Sequence, residues 1–437
     1  MEQTQTDKLS LINGRIHTQS GIASNITFEH GRIASIDDEI GSLNGKILDL
    51  HGRTVLPGFC NAGFDLFSWA ENQERLNLVN VHNNKEFIDS LEAYVHANSS
   101  PIRDWYVAYN LPDDVIISRE DLDNVVSSKP CAIIDSRKTH AALNTPAMNA
   151  LNMPQDSVEP DELNQHLPVL SEENIIYLIK NYAPKFNALG ITEIWADFWE
   201  FESAKDLWDI LVNDAYDSLS LRLRCNFGFN DVNSLNEFLS SGLRTGDGLP
   251  LCKFGGILVT GELEQQEQKA MIYSAHLSGC QIISDNNKSC LNALERVIKK
   301  VRKPSRHLVR NFSANLIERM KLLNLGGIIE QEQENEFLHE AFKNGIVTSG
   351  NGDNILSTIS DFVLNGLSVA EALNIFTWGA AWNGSYEARR GELAVGNDAD
   401  IVVLEQDPFS VSPDEISKID ITMTFSAGSV VYDSGEI

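Results

Sequence analysis

Short stretches of alternating apolar and polar residues open the chain. Leu9 to His17 reads as a strand, a turn and a strand. Ile26 to Ile36 alternates around His30-Gly31, a hairpin signal, and Ile47 to Leu56 repeats the device before Pro57-Gly58 interrupts it. The tail is similar. Gly391 to Leu404 is a turn followed by a buried strand, and Ile421 to Tyr432 is another hairpin. β-structure at both ends predicts that residues 1–57 and 386–437 fold together as one small β-sandwich domain.

The middle, residues 58–385, alternates short apolar strands with helical stretches. Strands are expected over 105–109, 131–135, 192–196, 221–227, 251–254, 281–284, 308–310, 327–330 and 346–349. Between them, Glu172 to Leu189 places Ile175, Ile176, Ile179, Tyr182, Ala183 and Phe186 on one helical face, and 315–323 and 369–376 behave likewise. Many short strands, each followed by a helix, predict a parallel (β/α)8 TIM-like barrel, fold class α/β, more than an open sheet. Neither an internal repeat nor a low-complexity segment interrupts the pattern.

Composition narrows the partners. The 437 residues carry 34 basic against 62 acidic side chains, a net charge of −28. Such a chain repels phosphate backbones and anionic lipid, so neither nucleic acid nor membrane is expected, and the excess serves solubility. No apolar run is long enough to span a bilayer. The start, Met1 to Asp7, is polar and unlike a secretory signal. The six cysteines are scattered without a C-x-x-C pair, which suits reduced, buried thiols in a cytoplasmic protein.

Two segments bracketing the chain carry a resemblance. Leu48-Asp-Leu-His-Gly-Arg-Thr-Val-Leu-Pro-Gly-Phe59 resembles the strand that enters the barrel in the metal-dependent amidohydrolase superfamily. The run from Arg390 to Leu404, with Asp407-Pro-Phe409 and Gly428-Ser-Val-Val-Tyr432, resembles the closing β-segment. Thr139-His-Ala-Ala-Leu-Asn-Thr-Pro-Ala-Met148 is similar to a segment of the branch containing N-substituted formamide deformylases. Trp105, Leu122-Asp123 and Gly190-Ile-Thr192 fit that branch too. The resemblance implies a barrel that hydrolyses a non-peptide C–N bond of a small molecule with metal-activated water, and it makes a homodimer plausible.

That chemistry needs imidazoles and carboxylates at the strand ends, to hold a metal that brings the pKa of bound water to about 7. Carried over position by position, the resemblance puts Gly63 and Asp65 where the first strand should present two histidines. Lys253 falls on the bridging lysine, Ser284 and Asn311 on the next two histidines, and Gly352 or Asp353 on the final aspartate. None of the ten histidines falls on a ligand position. Lys253, Asp353 and Asp65 are therefore the catalytic candidates, and His140, Ser284 and Asn311 the substrate-binding ones. No metal ligand is assigned and no cofactor expected, although one weakly held divalent metal on Asp65, Asp353 and His140 stays open, and Asp285 could be a displaced ligand.

Each candidate also has a purely structural reading. Lys253 could be a strand-end lysine paired to a carboxylate, Asp353 a turn residue, Asp65 an acceptor for backbone amides, and His140 a local cap. Trp195, Trp199 and Trp208 could roof a pocket or pack barrel against helices. His276, His307, His30 and His51 read as structural or solvated. Serine-hydrolase elbow, Walker loop, dinucleotide turn and His-Glu-x-x-His motifs are lacking. Three readings follow: a C–N hydrolase or related lyase with a rebuilt, degenerate metal site; a pseudoenzyme that binds a small molecule; or a partner that stabilises another enzyme.

Overall fold

The computed structural model describes residues 8–38, 45–199, 203–303, 305–330 and 337–435. The polar start Met1 to Asp7 lies outside them. The chain forms two compact units, one of residues 1–66 and 179–437 and one of residues 67–178.

In the first unit the two ends of the chain share one core. Four strands lie in the order Arg32–Ile36, Ile26–Glu29, Lys8–Ile12, Lys46–Asp49. Six others run Ser429–Asp433, Ile421–Ser426, Ile401–Leu404, Thr54–Pro57, Arg15–Thr18, Gly21–Ala23. Leu11, Ile16, Phe28, Val55, Ile401 and Phe425 pack together between the sheets, and the central strand Ile401–Leu404 is buried on both faces. The rings of Phe28 and Phe425 meet edge-on at 5.3 Å, joining the two sheets.

The same unit contains eight parallel strands: β1 (Phe59–Phe64), β2 (Ile191–Phe198), β3 (Arg222–Gly228), β4 (Cys252–Val259), β5 (Ile282–Asp285), β6 (Leu308–Arg310), β7 (Gly326–Ile329) and β8 (Thr348–Gly350). They pair in sequence order from β1 to β8, giving a nearly closed TIM-like barrel. The ladder does not join β8 to β1. Side chains do: Asn61 donates to the Gly352 carbonyl and accepts from its N–H, both at 3.1 Å, and Asn351 donates to the Gly63 carbonyl at 2.7 Å. Inside, Ala62, Trp195, Leu258, Ile283, Leu308 and Ile328 form an apolar layer.

Below that layer a buried ionic seam binds the barrel to the tail. Arg222, at the start of β3, grips Asp400 through two hydrogen bonds of 2.7 and 3.2 Å. Arg390 reaches Glu193 at 2.5 Å, and Glu193 also accepts from the Tyr386 hydroxyl and the Trp195 indole. The Asp-Ala-Asp of the tail is thus a structural lock, since each buried charge meets its opposite.

The barrel expected to run through residues 58–385 is interrupted. Residues 67–178 carry their own five-stranded sheet, in the order Ser157–Val158, Ala141–Leu143, Cys131–Asp135, Tyr106–Leu111, Leu76–Asn77. The segments 105–109 and 131–135, expected as barrel strands, pair with each other instead. Their apolar composition is that of any doubly buried strand, and both faces are covered here: Phe87, Leu91 and Ile133 on one, Ala132, Leu143 and Leu163 on the other.

All six cysteines are buried and free. Among the described residues no helix is long and apolar enough to cross a membrane.

Candidate functional site

The mouth of the barrel, at the C-terminal strand ends, is where a TIM-like fold places its chemistry. Side chains on one strand face recur every second residue. Leu308 faces the interior, so Arg310 does too. Trp195 carries Asp197 and Ile283 carries Asp285 inward in the same way, and Glu330 follows two residues after Ile328, just past the end of β7. These residues form the centre of the mouth. The Arg310 guanidinium donates from Nη1 to Asp197 Oδ2 at 2.6 Å and from Nη2 to Glu330 Oε1 at 3.0 Å. Asn226 Nδ2 donates to the second oxygen of Asp197 at 2.7 Å. Asp285 accepts from the Gly261 backbone N–H at 2.8 Å, capping the loop after β4.

The electrostatics follow from burial. Removing Arg310 from water works against its charge, but Asp197 and Glu330 outweigh that and hold its pKa above the ordinary arginine value, with Asp285 adding to the effect. Burial raises the pKa of Asp197; Arg310 and the Asn226 amide work against that, and the charges of Asp65 and Glu330 add to it.

Gly63 makes room for this arrangement. It is skipped in the β1–β2 register, a bulge, and has φ +80°. A Cβ there would stand 3.2 Å from Ile328 Cγ2 and 3.8 Å from both Arg310 Nη2 and Asp197 Oδ2. A side chain at 63 would first crowd Ile328 and reach the ion pair at ordinary contact distance, in a backbone conformation that suits glycine.

The residues expected from the sequence are dispersed. Asp65 is exposed just past β1, close enough for its charge to reach Asp197. Asp353 is exposed after β8, while its neighbour Gly352 is taken up by Asn61 in closing the barrel. Lys253 is at the opposite end of its strand: it is the second residue of β4, and its Nζ donates to the Gly248 carbonyl at 2.8 Å. Six further residues of β4 at roughly 3.3 Å each separate it from the mouth, so it cannot join Asp65 there. Ser284 is buried on the outer face of β5, because Ile283 and Asp285 on either side of it face inward. Asn311 lies one residue past β6 at φ +48°, where its carbonyl accepts from Asn286. His140 belongs to the second unit. It is exposed, its backbone N–H donates to Asp135, and it lines an open groove of about 450 Å³ with Met153, Gln155 and Glu162.

Among the described residues no three His, Cys, Asp or Glu side chains are grouped so as to hold a metal. Asp197, Asn226, Arg310 and Glu330 were not singled out from sequence. Their signal was present: each sits at or beside the C-terminal end of a predicted strand, in phase with that strand's inward residues.

Beside the mouth, the loops after β2 and β3 enclose a cleft of about 460 Å³, lined by Trp199, Phe229, Phe238, Lys205, Asp206 and Asp231. Trp199 covers Gly228, where a Cβ would stand 2.3 Å from the ring. The other two tryptophans are packing residues. Trp195 is buried in the barrel under Arg224, and Trp208 meets Phe254 edge-on at 6.3 Å.

Comparison with known proteins agrees with this architecture. Residues 363–432 match the model of the Amidohydrolase family. Over 67 residues the chain is 39% identical to YtcJ of Bacillus subtilis (strain 168), whose name assigns it to the amidohydrolases; the match spans 15% of this chain and only 13% of that protein. An uncharacterized metal-dependent hydrolase from Pyrococcus furiosus superposes with a TM-score of 0.77 at 16% identity, over 92% of this chain and 100% of that one. An amidohydrolase from an environmental sample of the Sargasso Sea gives 0.60 at 13% identity, over 98% and 93%. At these identities the likeness is one of fold.

Proposed function

We propose that this is an amidohydrolase-type barrel protein that takes up a small polar molecule at its mouth without a metal-bound hydroxide. One observation carries the reading: the guanidinium of Arg310, held by Asp197 and Glu330, stands among the inward strand-end residues, which among the described residues include no imidazole. Zinc sites combine imidazole or thiolate donors with carboxylates, and a set of carboxylates alone suits harder cations. Here the donors are carboxylates already matched to an internal cation, so the residues present do not fit a binuclear zinc centre.

Binding without turnover suits this geometry best. Asp197 is engaged by Arg310 and Asn226, and Arg310 by two carboxylates, so the central groups satisfy one another. The cleft beside the mouth is mostly polar, with Lys205, Asp206, Asn230 and Asp231 in its lining, and Trp199 and Phe229 supply a smaller apolar part. A second reading, hydrolysis of a non-peptide C–N bond, is favoured by the exposed Asp65 carboxylate next to this cluster. Asp65 would then act as general base on water, with Arg310 stabilising the developing oxyanion.

The test is a thermal-shift screen of formamides, ureas, cyclic amides and amino-acid derivatives in the presence of EDTA, followed by turnover assays on the hits. A raised Tm with no product supports binding, because a ligand stabilises the state that it binds. Product formation that survives EDTA moves the conclusion to the second reading. Hydrolysis abolished by EDTA and restored by zinc would overturn the proposal.

A further inference from the structure

We infer that the Arg310 guanidinium occupies the role of a cation at the barrel mouth, and that it is what keeps a divalent metal out. This rests on the metal-free reading above and extends it by naming the residue responsible.

The argument starts from charge. Asp197, Glu330, Asp285 and Asp65 converge on the strand ends, and Asp197 is only 3% exposed. A buried carboxylate is costly unless it is paired. In this chain the pairing charge is covalently attached and arrives on β6. It bridges β2 and the end of β7 through separate nitrogens, Nη1 to Asp197 and Nη2 to Glu330. A planar fork suits this double contact, which a lysine ammonium could not reproduce.

Gly63 is the second part of the device. The nearest approach of a Cβ at 63 to the ion pair is 3.8 Å, on both Arg310 Nη2 and Asp197 Oδ2. A Cβ there would press on Ile328 and lie in ordinary contact with the guanidinium, so a longer side chain would have to share its space. A glycine on β1 and a cation on β6 thus adjoin one another at the mouth. A divalent ion at this level would lie against a fixed positive charge and compete for oxygens that already accept from it. With Arg310 standing between them, these carboxylates are not grouped tightly enough to hold an ion; without it, Asp197 and Glu330 are left as unpaired hard oxygen donors facing one gap, the kind that Mn²⁺ and Mg²⁺ favour.

The test uses the full chain and the Arg310→Met and Arg310→Lys variants. Each is stripped with EDTA, dialysed, and titrated with MnCl2 while Tm and bound manganese are measured. The Met variant is expected to have a lower Tm than the wild type, to recover several degrees on addition of Mn²⁺, and to retain manganese after gel filtration. The wild type and the Lys variant are expected to show no shift and no retained manganese. If the Met variant does not fold alone, it is refolded with Mn²⁺ or with NaCl of equal ionic strength. Recovery with Mn²⁺ alone supports the inference, and recovery with neither overturns it. A folded Met variant that ignores Mn²⁺ also overturns it, while leaving the metal-free reading intact. Retention of manganese by the wild type would instead sink the metal-free reading itself.

Discussion

Arg310 Nη1 lies 2.6 Å from Asp197 Oδ2, joining the sixth barrel strand to the second at the level where the fold carries its chemistry. The side chains are 13% and 2% exposed, so the pair is largely out of water. Removing one partner strands the other. Asp197→Asn or Arg310→Met alone should therefore cost about 3–5 kcal/mol in urea unfolding, and the double variant much less than the sum. Additive losses would show that the two residues act independently.

Barrel closure makes a separate prediction. Asn61 exchanges two hydrogen bonds with the Gly352 backbone where the sheet ladder is missing. Asn61→Ala should cost about 1–3 kcal/mol and raise amide exchange in 59–64 and 348–352 before other barrel strands. Uniform loss of protection across the barrel would contradict this.

Gly63 is expected to resist substitution. At φ +80° a side chain costs about 1–2 kcal/mol, before any contact with Ile328 and Arg310. Gly63→Ala should lower stability by at least that much. Gly63→His should still bind no zinc by calorimetry, because Arg310 remains in place. Zinc binding by that variant would show that the missing imidazole alone kept the metal out.

Acid should destabilise the fold through His307. The Ile282 N–H donates to its Nδ1 at 3.0 Å, so the proton sits on Nε2 and is shared with His276 Nδ1 at 2.8 Å. His276 Nε2 in turn donates to the Val301 carbonyl. Burial, then the neighbouring His276, lowers the pKa of His307 from 6.5 to about 3. Above about pH 6.5 neither folded nor unfolded chain holds that proton, and there is no penalty. Between 6.5 and 3 the unfolded chain binds it and the folded chain does not, so stability falls by up to about 1.4 kcal/mol per pH unit. Urea unfolding at pH 7 and 4.5 should show this slope, and His307→Asn should flatten it. An equal slope in the variant would assign the loss to other groups.

Much of the fold was legible because local pattern determines it. The terminal hairpins follow from alternation and Gly turns. The barrel strands from 191 onward follow from short apolar runs between helices. Strand propensity does not name a partner, which is why 105–109 and 131–135 were read into the barrel although they pair with each other. The site was harder. Reading for replaced histidines led to Ser284 and Asn311, each one residue out of phase with the face that carries Asp285 and Arg310. The local context of Lys253 matches that of a bridging lysine, yet the residue lies at the start of its strand. Arg310 carries no such signal, because an arginine is not a metal ligand. Its role appears only when Gly63, Asp197 and Glu330 are seen around it.

The most direct measurement is the metal content of the wild-type chain, purified without added chelator and analysed by inductively coupled plasma mass spectrometry. A mouth held together by Arg310 should carry less than about a tenth of a zinc, manganese, iron or nickel ion per chain. About one or two metals per chain, lost together with ligand binding on dialysis against EDTA, would contradict the account.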